Sequence, residues 1–259
     1  MSVANIIDLQ KHPISDQAFV KSCRETLDQN GALVLEGFLL PDAVTQIKSE
    51  GERSEGQAYF CEQKHTVYLS PQDPSFANDH PRNRLVTSSK GCITDDQIPP
   101  NSPLQTLYHD TEFQKFLCTV LKEKALYEYA DPLSSINLHY ARKGQELGWH
   151  FDNSSFATTL MIQEPEAGGA FEYVENLRDA DRGEMNFDGV GNVLDGETPV
   201  SRLSMGAGAL VLFRGRNAIH RVAPVEGSRT RMLVVLAYNS EPGIALSESA
   251  RLTFYGRLG

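Results

Sequence analysis

The chain reads as α+β: a double-stranded β-helix of the jelly-roll or cupin-like kind, buttressed by N-terminal helices. Three observations predict this. Apolar residues recur at helical spacing before residue 133, short β-rich runs bounded by Gly, Pro and Asn follow from residue 134, and no linker-like composition separates the halves. A single domain over 1–259 is therefore expected, with a mainly helical part at 1–133 and the β-helix core at 134–243.

The elements follow in order. SDQAFVKSCRETLDQ (15–29) sets Ala18, Phe19, Cys23 and Leu27 at helical spacing behind Ser15 as the cap. GALVLEGFLL (31–40) reads as a strand between Gly31 and Pro41, and a second helix starts near Asp42 and stops near Gly51. Residues 70–103 are rich in Pro, Asn, Asp and Ser and read as a long irregular segment of the kind that often carries function. A further helix is expected over 104–125, where Leu104, Leu107, Phe113, Phe116, Leu117 and Val120 make a broad apolar face. SSINLHYAR, WHFDNSSFATTLMIQ, GGAFEYV, GALVLFRG and RMLVVLAYN are the strands, and the polar, Gly-rich stretch 176–202 is an excursion between two of them.

Composition narrows the function classes. With 24 Lys+Arg against 34 Asp+Glu, the net charge of −10 disfavours a nucleic-acid partner, because phosphate contacts need clustered cations. No apolar run reaches the ~18 residues of a membrane span, and MSVANIIDLQKHPISDQ lacks the charged-then-apolar layout of a signal peptide. Cys23, Cys61, Cys92 and Cys118 stand far apart with no CxxC pair, a pattern that fits reduced thiols and a cytoplasmic protein.

The most informative stretch is GWHFDNSSF. On a strand, residues i and i+2 share a face, so His150 and Asp152 can converge on one ion. A lone H-x-D means little among seven histidines, and a third ligand must come from elsewhere; His220 in RGRNAIHRVAP, just beyond another strand, is the candidate. Two imidazoles and one carboxylate on one octahedral face make the triad of non-haem Fe(II) oxygenases, leaving positions for a co-substrate and dioxygen. His12, His65, His80, His109 and His139 are assigned to surface or packing roles.

Arg231 raises that reading. It opens the apolar strand RMLVVLAY, where a buried guanidinium without an anion would cost several kcal/mol. Arg229 shares its strand face by parity and competes for the same role, that of meeting the far carboxylate of 2-oxoglutarate through paired hydrogen bonds. Tyr140, ten residues before His150, is a second contact for that co-substrate, or else a packed strand tyrosine. A small amino acid also needs a cation for its carboxylate. Arg82, Arg84 and Lys90 are candidates, with Arg84 chosen, and Asn153 is placed at the pocket rim. Parity turns Trp149 into the core, Arg214 and Arg216 flank a turn, and Glu172 faces either a strand neighbour or the substrate.

YARKGQELGWHFD, TTLMIQEPEAGGAFEYV, GALVLFRGRNAIHRVAPVEG and RMLVVLAYNSEPG together resemble the Fe(II)/2-oxoglutarate-dependent oxygenases. Within that superfamily, WHFD, QEPEAGGAFEY, FRGRNAIHRV and AYNSEPG are similar to the BesD/HalD-type free-amino-acid halogenases and hydroxylases. The resemblance covers about 134–243 well, and 65–133 more loosely through HPRNRLVTSSKG and IPPNSPLQTLY. It implies iron held by His150, Asp152 and His220, and 2-oxoglutarate anchored by Arg231. Halogenating members carry Gly or Ala where this chain has Asp152, so the resemblance implies a hydroxylase.

The expected function is thus hydroxylation of a free amino acid or similar small metabolite with Fe(II), 2-oxoglutarate and O2, releasing succinate and CO2. Two rivals are a prolyl-hydroxylase-like protein side-chain hydroxylase and a non-catalytic cupin-like metal binder. The absence of an additional peptide-binding domain speaks against the first, and Arg231 against the second.

Overall fold

The computed structural model describes residues 2–259, so Met1 of the expected domain lies outside it. Its first long helix, α1 (Gln17–Asn30), is capped by Asp16 rather than Ser15. The Asp16 carboxylate accepts from the Phe19 amide at 2.8 Å, and Gly31 closes the helix at φ +63°. Val20, Cys23 and Leu27, three and four residues apart, are its buried face. β1 is only Ala32–Leu35, shorter than the run 31–40 suggests, and the chain then reverses through Gly37 at φ +63°. α2 (Pro41–Ser54) continues past Gly51, where the sequence reading ended it. A Cβ at Gly51 would stand 2.7 Å from Leu138 Cδ2 and 3.3 Å from Met232 Sδ, so the glycine marks close helix–sheet approach rather than a stop.

The largest departure from expectation lies between residues 52 and 103. β2 (Tyr59–Thr66) and β3 (Leu85–Ile93) form an antiparallel ladder from Tyr59↔Cys92 to Thr66↔Leu85. β3 falls inside the stretch read as irregular because its inward residues are polar: Ser88 and Lys90 face a cavity, not an apolar core. The N-terminal part is therefore mixed rather than mainly helical. The expected helix over 104–125 is two, α3 (Pro103–Tyr108) and α4 (Thr111–Leu121), because Asp110 caps α4 by accepting from the Phe113 amide at 2.8 Å.

The β-rich half supplies β4 (Ile136–Ala141), β5 (Leu147–His150), β6 (Ala157–Gln163) and β7 (Phe171–Val174). The excursion 176–202 holds α5 (Phe187–Leu194). Then come β8 (Ser201–Leu203), β9 (Leu210–Phe213), β10 (Ile219–Val222), β11 (Arg231–Leu236) and α6 (Glu248–Tyr255). Every strand pairing is antiparallel. From β4 onward the chain passes back and forth between two layers, β9-β6-β11-β4 and β5-β10-β7-β8. β1 extends the first layer beside β9, β3 and β2 extend it beside β4, and Ser88↔Leu147 joins β3 to β5 at the seam. That alternation is the double-stranded β-helix the sequence predicts.

One buried apolar cluster joins α1, α2, α3 and α4 to the outer face of the larger layer; it holds Phe113, Phe116 and Leu117 of α4 together with Leu138, Leu160, Met232 and Val234 of the strands. The alternate residues of the same strands, among them Asn137, His139, Arg231 and Leu233, line the space between layers. None of the helices among the described residues is long and apolar enough to cross a membrane.

Candidate active site

β5 carries His150 to the cavity, and β10 carries His220 directly opposite it in the ladder. Trp149 and Phe151, out of phase with His150 and Asp152, pack into a separate buried cluster with Tyr68, as parity requires. The Asp152 Oδ1 atom lies 3.8 Å from His150 Nε2 and 3.5 Å from His220 Nε2. One donor atom from each of the three residues falls within 4.8 Å of the others.

The tautomers follow from the outer partners. His150 Nδ1 stands 2.8 Å from the Gly148 carbonyl, and His220 Nδ1 stands 3.0 Å from the Ala218 carbonyl. A carbonyl only accepts, so both Nδ1 atoms carry the proton and donate, which leaves both Nε2 lone pairs free to bind a metal beside Asp152. Burial first, and the neighbouring His220 second, push the His150 pKa far down. Burial works to raise Asp152, but the neighbouring His220 and His150 side chains outweigh it and hold the carboxyl low. Two neutral imidazoles and one carboxylate are a donor set for a divalent cation. Asp152 Oδ2 is buried with no hydrogen-bond partner, as befits a carboxylate whose charge awaits an ion.

The family described as Halogenase D matches residues 75–251, a span that holds all three donors. The chain belongs to that family. No curated protein sequence matches the chain. Solved structures similar to this Halogenase D family member share its fold at low identity. The non-heme alpha ketoglutarate dependent epimerase SnoN from nogalamycin biosynthesis has a TM-score of 0.60 at 12% identity, over 86% of this chain and 84% of that one. HygX from Streptomyces hygroscopicus, solved with nickel, 2-oxoglutarate and hygromycin B, has 0.54 at 16%, over 91% and 95%. A 2OG-Fe(II) oxygenase family oxidoreductase from Burkholderia pseudomallei has 0.53 at 13%, over 88% and 94%. The fold is the one these 2-oxoglutarate/Fe(II)-dependent proteins share.

The triad opens onto a cavity of about 920 Å³ between the layers. Arg231 lines it, is 4% exposed and has no partner at Nε; burial alone lowers its pKa to about 10. Arg229 precedes β11, is exposed, and donates to the Pro165 carbonyl at 3.4 Å. Of the two candidates, Arg231 is therefore the one turned into the cavity.

Tyr140 is not. It lies on the opposite face of β4, fully buried, and its hydroxyl donates to the Gly51 carbonyl in α2 at 2.7 Å. Arg84 also stays outside the cavity, tied to Asp195 at 2.7 Å. Asn153 is among the residues that line the cavity. Glu172 takes the strand-neighbour role, bridged by Arg202 at 2.8 Å and Arg221 at 2.7 Å.

Three cavity residues went unread or misread. His139 and Asn137 are the inward phase of β4, where His139 had been assigned to packing. His65 stands edge-on to His150 at 6.3 Å between centroids, with Nε2 2.7 Å from Ser88 Oγ. Lys90, one of three candidate cations, does line the cavity, and its ammonium donates to the His139 ring at 3.1 Å. Burial, then Lys90 and Arg231, keep His139 neutral, so it accepts. The alternation of Asn137 and His139 with Ile136, Leu138 and Tyr140 was the available signal.

Proposed function

We propose that this chain, as one domain over 1–259, is an Fe(II)- and 2-oxoglutarate-dependent hydroxylase of a free amino acid or similar small metabolite. The carrying observation is the convergence of His150 Nε2, His220 Nε2 and Asp152 Oδ1 on the wall of a cavity that also holds the unpaired guanidinium of Arg231. His150, Asp152 and His220 hold iron, and Arg231 meets the C5 carboxylate of 2-oxoglutarate through paired charge-assisted hydrogen bonds. When bound, iron with 2-oxoglutarate and O2 supplies the oxidant that exchanges C–H for C–OH, with succinate and CO2 as co-products.

The protein's own residues orient and shield. The Gly148 and Ala218 carbonyls hold both imidazoles in the tautomer that frees Nε2. Phe171 and Leu233 give the cavity an apolar wall, and Arg231 is buried in it at 4% exposure. The Lys90–His139 pair is the cation for a substrate carboxylate, and the Asn153 side chain accepts from the substrate ammonium. α6 contributes Ser249, Ala250 and Thr253 to the cavity wall, which favours a small substrate over a peptide chain. Asp152 supports hydroxylation rather than halogenation, because a carboxylate ligand fills the coordination position that chloride needs.

The test is succinate release from 2-oxoglutarate with Fe(II), screened across pools of free amino acids, with products weighed in chloride and bromide buffers. Amino-acid-stimulated succinate and a product 16 mass units heavier are expected. His150→Ala or His220→Ala is expected to abolish both. Near-normal turnover in either variant removes the triad, and a halogen isotope pattern from the wild-type enzyme removes the hydroxylase assignment.

A further inference from the structure

Gly215 sits in the turn between β9 and β10, and its φ is not in the left-handed region that favours glycine. What it supplies is room. A Cβ at this position would overlap Asp152 Oδ2, and would stand 2.6 Å from Asp152 Cγ and 2.9 Å from His220 Cε1. Neither backbone can easily withdraw. The Asp152 amide donates to the Gly215 carbonyl at 3.1 Å, and the Arg214 amide donates to the Gly31 carbonyl at 2.9 Å. Arg216 donates to the Asn153 carbonyl at 3.0 Å and to Asp181 at 2.8 Å. With the turn held on both sides, the side chain of Asp152 must rotate instead. Oδ2 faces Gly215 while Oδ1 faces the two imidazoles, so turning one oxygen away from a methyl group swings the other off the imidazole pair.

We infer that Gly215 is the positioning residue that allows Asp152 to serve as the third metal ligand. The hydrogen at position 215 sets whether this turn leaves the site with three protein donors or two, and so whether a coordination position stays closed to an exogenous anion. The inference rests on the metal-site reading above and adds a residue that touches neither ion nor substrate.

The experiment measures Mn(II) affinity and the metal-free melting temperature of the full chain in a double-mutant cycle. Gly215→Ala is expected to bind Mn(II) ~10–100-fold more weakly than wild type, the size seen when a metal ligand loses its positioning partner. Asp152→Gly is expected to lose at least as much. The double variant Gly215→Ala/Asp152→Gly is expected to add much less than the full Gly215→Ala penalty to that of Asp152→Gly, and to recover part of the melting temperature that Gly215→Ala loses, because the methyl then meets only His220 Cε1 at 2.9 Å. Wild-type affinity in Gly215→Ala overturns the inference, as does a Gly215→Ala penalty that adds in full to that of Asp152→Gly. If Gly215→Ala fails to fold, a folded double variant supports the inference and an unfolded one overturns it. His150→Ala is the control: wild-type Mn(II) affinity there removes the metal site itself rather than the role of Gly215.

Discussion

The two faces of the larger β-layer are made by the same strands and behave as opposites. On β4, Ile136, Leu138 and Tyr140 enter the helix-backed core, while Asn137 and His139, one residue out of phase, enter the cavity. β11 repeats the division, with Met232 and Val234 on one side and Arg231, Leu233 and Val235 on the other. The outer face is mostly apolar, and the Tyr140 hydroxyl on it is paired with the Gly51 carbonyl. The inner face leaves Arg231 Nε without a partner, and beyond it Asp152 Oδ2. A native fold keeps few such orphans. The two at the cavity are ionisable side chains, one of them in the metal-donor cluster, whereas the outer face is built from apolar side chains that hold the fold.

Arg231→Met is the sharpest way to break that contrast. Removing one partner of a buried, hydrogen-bonded charge pair costs about 2–5 kcal/mol, so the 2-oxoglutarate requirement is expected to rise by more than tenfold. The ligand-free protein is expected to melt no lower than wild type, because a desolvated guanidinium with no anion is replaced by an apolar chain of similar length. Arg229→Ala, at an exposed position, is expected to change neither quantity. Calorimetric titration of 2-oxoglutarate and a melting curve decide it. A large fall in melting temperature with unchanged 2-oxoglutarate affinity would move Arg231 to the structural side.

Leu138→Ala probes the other face of the layer. Leu138 is 1% exposed and packs beneath Gly51 of α2, so truncation is expected to destabilise the fold by about 2–5 kcal/mol. At a temperature where the variant is still folded, its 2-oxoglutarate affinity is expected to match wild type. Chemical denaturation with parallel titration measures both, and equal losses in stability and affinity would mean that the faces are coupled rather than separate.

The same division explains what the sequence could and could not disclose. H-x-D on a strand, an apolar run opened by Arg231 and the punctuated β-rich runs after residue 134 are local patterns, and the triad and the β-helix followed from them. β2 and β3 were hidden because their inward side chains are polar, which removes the hydrophobic alternation that marks a strand. Arg84 was lost to Asp195, 111 positions away, a contact with no local signature. Tyr140 was misplaced for a different reason. INLHYA alternates cleanly, yet nothing local says which phase meets helices and which meets a ligand. Gly51, read as a helix stop, was the missing clue, since it is what Leu138 packs against.

Tyr140→Phe is the smallest and most selective test of that phase. The phenol is fully buried, burial raises its pKa, and its only hydrogen bond runs to the Gly51 carbonyl at 2.7 Å. Deleting the hydroxyl removes one intramolecular hydrogen bond but leaves the ring packing intact, so the loss should be about 1 kcal/mol. For a chain of this size that lowers the melting temperature by about 2–4 °C. Because the hydroxyl points away from the cavity, the 2-oxoglutarate requirement should not move. A phenol in the co-substrate site would give the reverse: an unchanged melting temperature and weakened 2-oxoglutarate binding. That outcome would shift β4 by one residue, return His139 to the core, and strip Lys90 of the neutral imidazole to which it donates.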